Sequence, residues 1–353
     1  MSTLSTQFKS GNQLSSLSIA IWRTSQAVVW LIGATIFFCL VFFPPTGVLL
    51  FWNILIPIAP ALIVVAVGLW RNVCPLATTT LLPRHLGLSK GKKMSEVLQG
   101  KLGLVAAIAL FVIVPLRHAV FNVNGQATAV LLFAAATIGV TMGFFYEWKS
   151  AWCSTLCPVH PVEKLYGSNV LCALPNAHCS QCMMCTIPCP DSTPNIQANS
   201  SQKTSYHRIS GVLVIGGLPG FIWGWFHVPD HNSILAASAI IDVYKMPLAG
   251  LMTTLVLYWL LTKLVIRKYD KILTAIFAAS AVSCYYWYRI PMLVGFGKYE
   301  GDGLLVNLSN NMPYWGIILT ITSTTAFFFW WIVIRKPNGS SWVIRPVYAE
   351  KTL

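Results

Sequence analysis

Residues 46–70 read Thr46-Gly-Val-Leu-Leu-Phe-Trp-Asn-Ile-Leu-Ile-Pro-Ile-Ala-Pro-Ala-Leu-Ile-Val-Val-Ala-Val-Gly-Leu-Trp70, twenty-five residues without one charge. About 20 mostly apolar residues suffice to cross the hydrocarbon core of a bilayer as a helix. Seven further stretches pass the same test: 26–43, 102–121, 127–146, 209–228, 247–266, 272–296 and 312–334. Composition agrees, since 56% of the 353 residues are hydrophobic and only 10% charged, with a mean hydropathy of +0.65. Soluble domains carry about 25% charged residues, so a water-soluble enzyme is excluded, as are a disordered chain, a coiled coil and a secreted disulfide scaffold. The expected fold class is an all-α, polytopic membrane protein with about eight transmembrane helices.

Basic residues orient the spans, because short loops rich in Lys and Arg stay cytoplasmic. With the N-terminus inside, only Arg117, Lys245, Arg289 and Lys298 of the 24 Lys and Arg fall on the outer side. The net charge of +14 therefore reads as a topology signal rather than as nucleic-acid binding. Both termini are expected in the cytoplasm of a bacterial cell, with the chain in the inner membrane and lipid as its main contact. No cleavage site follows an apolar run near the N-terminus, so the first span is expected to be retained. The chain divides into a polar N-terminus (1–25), a four-helix core (26–148) with a first Cys-Pro loop (71–101), and a cysteine-rich segment (149–208). A C-terminal four-helix bundle (209–334) and a tail (335–353) complete it. The first two hairpins end alike, in Arg71-Asn-Val-Cys74-Pro75 and in Trp152-Cys153-Ser-Thr-Leu-Cys157-Pro158, a weak internal repeat.

The sharpest chemical signal is Cys179-Ser-Gln-Cys182-Met-Met-Cys185-Thr-Ile-Pro-Cys189-Pro190. This is the C-x2-C-x2-C-x3-C-P run of bacterial ferredoxins, in which the fourth cysteine ligates the other cluster of a two-cluster protein. Closely spaced thiolates wrap a loop around three corners of a [4Fe–4S] cubane, and the proline carries the fourth cysteine away. A zinc knuckle needs two C-x2-C hooks across a longer gap, and a disulfide is disfavoured in a reducing cytoplasm. Of the ten cysteines, Cys39 and Cys284 lie inside spans as small hydrophobes. The remaining eight, Cys74, Cys153, Cys157, Cys172, Cys179, Cys182, Cys185 and Cys189, all belong to inside loops. Eight ligands match two [4Fe–4S] clusters in a ferredoxin-like loop domain on the cytoplasmic face. Which remote cysteine serves which cluster is open, and Cys172, outside any motif, also reads as a packing thiol.

With Cys-Pro motifs after spans two and four and a ferredoxin run behind them, residues 26–210 resemble the membrane-bound polyferredoxin family (NapH- and NosR-like proteins). Members accompany periplasmic nitrate reductase and nitrous oxide reductase, and include a cytochrome-oxidase assembly factor. The resemblance rests on Cys74-Pro75, Cys153, Cys157-Pro158 and the Cys179–Cys189 run. It implies electron transfer between the quinone pool, or a cytoplasmic donor, and a redox partner at the membrane. The chain departs from the family in its first motif, where Trp70 stands in place of a cysteine, and in having one complete ferredoxin run. Spans five to eight lie outside the resemblance.

Of the seven histidines, His118, His227 and His231 fall at the outer ends of spans three and five. With Asp230 they form a candidate outer-side metal or haem site, against the plainer reading of interfacial histidines. No C-x-x-C-H occurs, which excludes covalent haem; haem b stays open. Arg117 and Arg289 read either as snorkelling residues or as contacts for a quinone or an acidic partner. The aromatic runs Tyr285–Tyr288 and Phe327–Trp331 read as interfacial belts. No phosphate loop, hydrolytic triad or H-E-x-x-H is present. The chain is thus expected to be a redox subunit of an oxidoreductase complex rather than a stand-alone enzyme. The alternatives are an assembly factor supplying electrons to a metalloenzyme, and a redox-sensing transporter or structural subunit.

Overall fold

The computed structural model describes residues 10–11, 15–92, 94–146, 151–169, 171, 174–175, 204–231, 240–265, 269–336 and 343–346. The ferredoxin run and Cys172 lie outside these residues. Within them the protein is helical, with seven helices long and apolar enough to cross a membrane.

Helix α1 (Ser16–Phe42) begins where the Ser15 hydroxyl accepts the Ser18 amide at 3.2 Å. It starts ten residues before the apolar stretch at 26–43, because polar residues are tolerated where a helix emerges from lipid. The second span is segmented: α2 (Pro44–Val48), a π-helical turn (Leu49–Leu55), α3 (Ile56–Val73), α4 (Pro75–Thr80) and the single turn α5 (Leu82–His85). Helix α6 (Glu96–Ile113) is capped by Ser95 and followed by a π-helical turn, Arg117–Phe121. Helix α7 (Gly125–Phe145) is capped by Asn124. A third π-helical turn (Trp152–Leu156) leads through Cys157-Pro158 to α8 (His160–Tyr166). The C-terminal bundle comprises α9 (Ser205–Trp225), α10 (Asp242–Leu264), α11 (Asp270–Leu293) and α12 (Tyr314–Phe329), the last running into a π-helical turn, Trp330–Ile334.

Helix α9 is the axis of the molecule. In its most apolar window 61% is buried, against 17–28% in the other six candidates. It packs on α6, α10 and α11. Helix α11 corresponds to the stretch at 272–296 but is not among the seven apolar candidates. Its length of 24 residues would span a bilayer, yet it carries Asp270, Lys271 and Arg289 and buries much of one face.

Two breaks within α3 are bridged by side chains from elsewhere in the bundle. Pro60 sits inside α3. The Tyr286 hydroxyl of α11 donates to Pro57 O at 2.6 Å and accepts from the Ala61 amide at 2.9 Å. It thus bridges the donor and acceptor that an unbroken helix would have joined directly. Farther along α3, Ala66 leaves helical geometry (φ −145°, ψ 56°), and Trp331 Nε1 donates to Val64 O at 3.1 Å. Tyr286, Phe328 and Trp331 are therefore core residues, which corrects the reading of both aromatic runs as interfacial belts. Trp287 and Trp330, by contrast, are more than a third exposed.

Three short strands pair in parallel, in the order β1 (Ser10–Gly11), β3 (Val343–Pro346), β2 (Leu174–Pro175). Ser10 lies opposite Arg345 and Leu174 opposite Val343. Both ends of the chain thus meet at the segment that leads into the cysteine run. Asn169 strengthens that junction: its Nδ2 donates to Trp331 O at 2.6 Å and to Arg335 O at 2.5 Å. Arg335 Nη2 donates back to the Asn169 carbonyl and side-chain oxygens at 3.0 Å each.

Candidate functional site

The two Cys-Pro motifs converge. Cys74 caps α3, the π-helical turn before Cys157 carries Cys153, and α8 closes the site with His160 and Glu163. All three thiols are partly buried and none is in a disulfide. Burial pushes the Cys153 thiol well above its ordinary range, the Arg71 guanidinium opposes this, and neighbouring Cys157 and Cys74 add to the rise. Cys157 is pushed up to about 12, first by burial and then by Glu163. The three sulfurs therefore share one electrostatic environment.

Beneath them lies a buried ion pair. Arg71 Nη1 donates to Glu163 Oε2, Arg71 Nη2 to Ser154 Oγ at 3.3 Å, and Trp70 Nε1 to Glu163 Oε1 at 2.8 Å. Burial alone would raise the Glu163 carboxyl, but Arg71 and the His160 contact outweigh it and hold it at about 2. Burial brings His160 down to about 4. Its neutral Nδ1 lies 3.2 Å from Arg71 Nη1 and 3.4 Å from Glu163 Oε2. Trp70, four residues before Cys74, thus holds the carboxylate that holds Arg71.

A second polar cluster closes the opposite end of α3, roughly 30 Å away at 1.5 Å per helical residue. His118 Nδ1 is 2.5 Å from Asp230 Oδ1, and Arg117 Nη2 is 3.5 Å from Asp230 Oδ2. Arg117 lies between the rings of Trp52 and Trp225, 5.8 and 5.2 Å from their centroids. Asn53 Oδ1 accepts from Arg117 at 3.4 Å and from Arg289 at 2.9 Å, and Arg289 also donates to Trp52 O at 2.7 Å. Arg117 and Arg289 are 4% and 1% exposed, so neither snorkels to a headgroup. Burial tends to raise the Asp230 carboxyl, yet Arg117 and the His118 hydrogen bond leave it below its usual range.

Among the described residues no three His, Cys, Asp or Glu side chains are placed to hold a single metal ion. His118 and His231 do meet, through His231 N to His118 O at 3.0 Å. His227 turns elsewhere: its Nδ1 is 2.7 Å from Trp223 O and its ring packs on Tyr288. The three outer histidines therefore do not converge as a ligand set. For Cys74, Cys153 and Cys157 the donor chemistry fits an iron–sulfur cubane, whose thiolates bind separate irons rather than one ion. Cys172, Cys179, Cys182, Cys185 and Cys189 are outside the described residues.

Sequence reading missed the partners. Arg71 counted only as a loop cation, and Glu163, Asn53 and Asp302 passed unremarked. One signal was present: with only ten Asp and Glu in the chain, each acid beside a motif was a candidate for pairing. Comparison with protein-family models, with curated proteins and with solved structures found no match to this chain. The resemblance to polyferredoxins therefore stands on the cysteine motifs alone.

Proposed function

We propose that this chain is an integral membrane electron-transfer protein that holds two [4Fe–4S] clusters at one face of a helical bundle. The carrying observation is that the two Cys-Pro motifs, some 80 residues apart, are tied together by Arg71, which precedes Cys74 and bonds both Ser154, beside Cys153, and Glu163, after Cys157. The Cys179–Cys189 run supplies the spacing of a ferredoxin and, with Cys172, brings the ligands to eight. Bound clusters supply one-electron chemistry. The protein's own residues fix the thiols and place the Arg71 cation, itself held by Glu163 and Ser154, beside them.

The strand pairing supports an even number of crossings, because it sets Ser10–Gly11 beside Arg345–Pro346. With α11 as the eighth crossing, Ser10–Gly11, Arg345–Pro346 and the loop residues Cys74, Cys153 and Cys157 share a face, and the distribution of Lys and Arg makes that face cytoplasmic in a bacterial inner membrane. The reading makes the chain a redox subunit exchanging electrons with the quinone pool or a cytoplasmic donor and with a partner enzyme.

Low-temperature EPR of anaerobically purified protein, with iron and sulfide counted on the same sample, tests this. The expected result is near eight iron per chain and two interacting reduced cubane signals, falling to near four in a Cys153→Ser, Cys157→Ser variant. Zinc without iron would sink the proposal. Purification in one-to-one complex with a redox enzyme is expected of a subunit; transient association would identify the assembly-factor role instead.

A further inference from the structure

The cluster at the far end of α3 is built around one unpaired atom. His118 is 0% exposed, and its Nδ1–H is committed to Asp230 at 2.5 Å. In that tautomer Nε2 carries a lone pair, and among the described residues it has no hydrogen-bond partner. An unsatisfied buried acceptor costs about 1–3 kcal/mol. The supports of the imidazole argue against packing alone. Asp230 is itself fixed, its amide donating to Asp302 Oδ2 at 2.7 Å. The His118 carbonyl is held by His231 N, and the Trp225 ring lies 4.5 Å from the imidazole. His118 sits on a π-helical turn, an irregularity frequent at functional sites.

A carboxylate on one ring nitrogen with the other nitrogen free is an arrangement shared by metal ligands and by buried bases. The metal alternative needs further ligands around Nε2, and the described residues offer no set of three. A proton needs none. We propose that His118 is a proton-binding site of the membrane domain: Nε2 takes up and releases a proton, with Asp230 as the counter-charge and a water molecule as the exchange partner. The step balances as proton transfer alone. An O–H bond of a hydronium breaks, the Nε2–H bond forms, the donor leaves as neutral water, and no electron moves. Water suits both states, donating to the neutral ring and accepting from the imidazolium.

The charged groups around the imidazole come from every element that packs on it. Arg117 is on its own turn, Asp230 and His231 follow α9, Arg289 is on α11 and Asp302 lies in the loop after α11. Two arginines and two aspartates balance, so the incoming proton is the uncompensated charge. Its nearest neighbour is the Asp230 carboxylate, and the Trp225 face adds cation–π stabilisation. This inference does not depend on the iron–sulfur reading, since it concerns the other end of the bundle.

Solid-state NMR of ¹⁵N-histidine-labelled protein in synthetic phosphatidylcholine bilayers tests it. The His118 signals are assigned by their through-space contact with Trp225 and by their loss in His118→Gln. Across pH 9 to 4, Nδ1 is expected to stay protonated while Nε2 passes from unprotonated to protonated. Asp230→Asn keeps the histidine but removes the counter-charge, and is expected to lower its proton affinity about tenfold or more. Circular dichroism of each sample establishes that the helices persist, and Asp230→Asn carries the test alone if His118→Gln fails to fold. An Nε2 that stays unprotonated down to the pH where helicity is lost would overturn the proposal. So would an unchanged titration in Asp230→Asn, or an Nε2 that responds to added Zn²⁺ and not to pH.

Discussion

Arg71 and Glu163 show how a single contact across 92 positions organises a site. Removing one partner leaves the other charge buried and alone, which typically costs 3–5 kcal/mol. Glu163→Gln is therefore expected to destabilise the protein by about 3 kcal/mol, read as a lower midpoint of thermal unfolding. The same pair sets an acid limit. Glu163 is held at about 2 in the folded state against an ordinary 4.5, so its contribution is present above pH 4.5 and drains away as pH falls toward 2. The wild-type thermal midpoint should fall through that window, and Glu163→Gln should show a flatter profile. At this scale the sequence was only half legible. Cysteine spacing is local and can be read directly, whereas Arg71, a cation beside a motif, acquires its meaning from an acid that only the fold brings to it.

Among the elements, the crossing of α9 and α10 is the closest. Gly216, Gly220 and Gly224 recur at four-residue intervals along α9, the small-residue pattern by which membrane helices approach backbone to backbone. A Cβ on Gly220 would sit 2.0 Å from the Gly250 carbonyl oxygen, and one on Gly224 2.2 Å from Met246 O. Gly220→Val is expected to force the helices apart and destabilise the bundle by about 1–3 kcal/mol. Gly103→Ala on α6, where nothing lies within 4 Å, should be neutral or slightly stabilising. Thermal unfolding in detergent compares the two directly. The apolar stretches themselves were legible because bilayer thickness imposes a length. Their ends and their interior breaks were not: the Tyr286 hydroxyl repairs α3 from a position 225 residues away from Ala61, and no local pattern announces that.

For the whole molecule, the pairing of the terminal strands predicts that both ends face one compartment. A fluorescent reporter that matures only in the cytoplasm, fused at either terminus, is expected to shine in both fusions. A dark reporter at one end would mean an odd number of crossings and leave α11 outside the count. The same architecture places Cys74, Cys153 and Cys157 at one end of α3 and the buried His118–Asp230 pair at the other. The clasp of Asn169 by Arg335 also has a bearing on biosynthesis. A ribosome delivers Cys153 and Cys157 long before it delivers the residues that anchor the segment behind them. Until the final turn of the last helix is in place, Asn169 lacks its partners and Leu174–Pro175 lacks the strand beside it. The chain around Asn169 and Leu174–Pro175 is therefore made early and fastened late, only when translation is nearly complete.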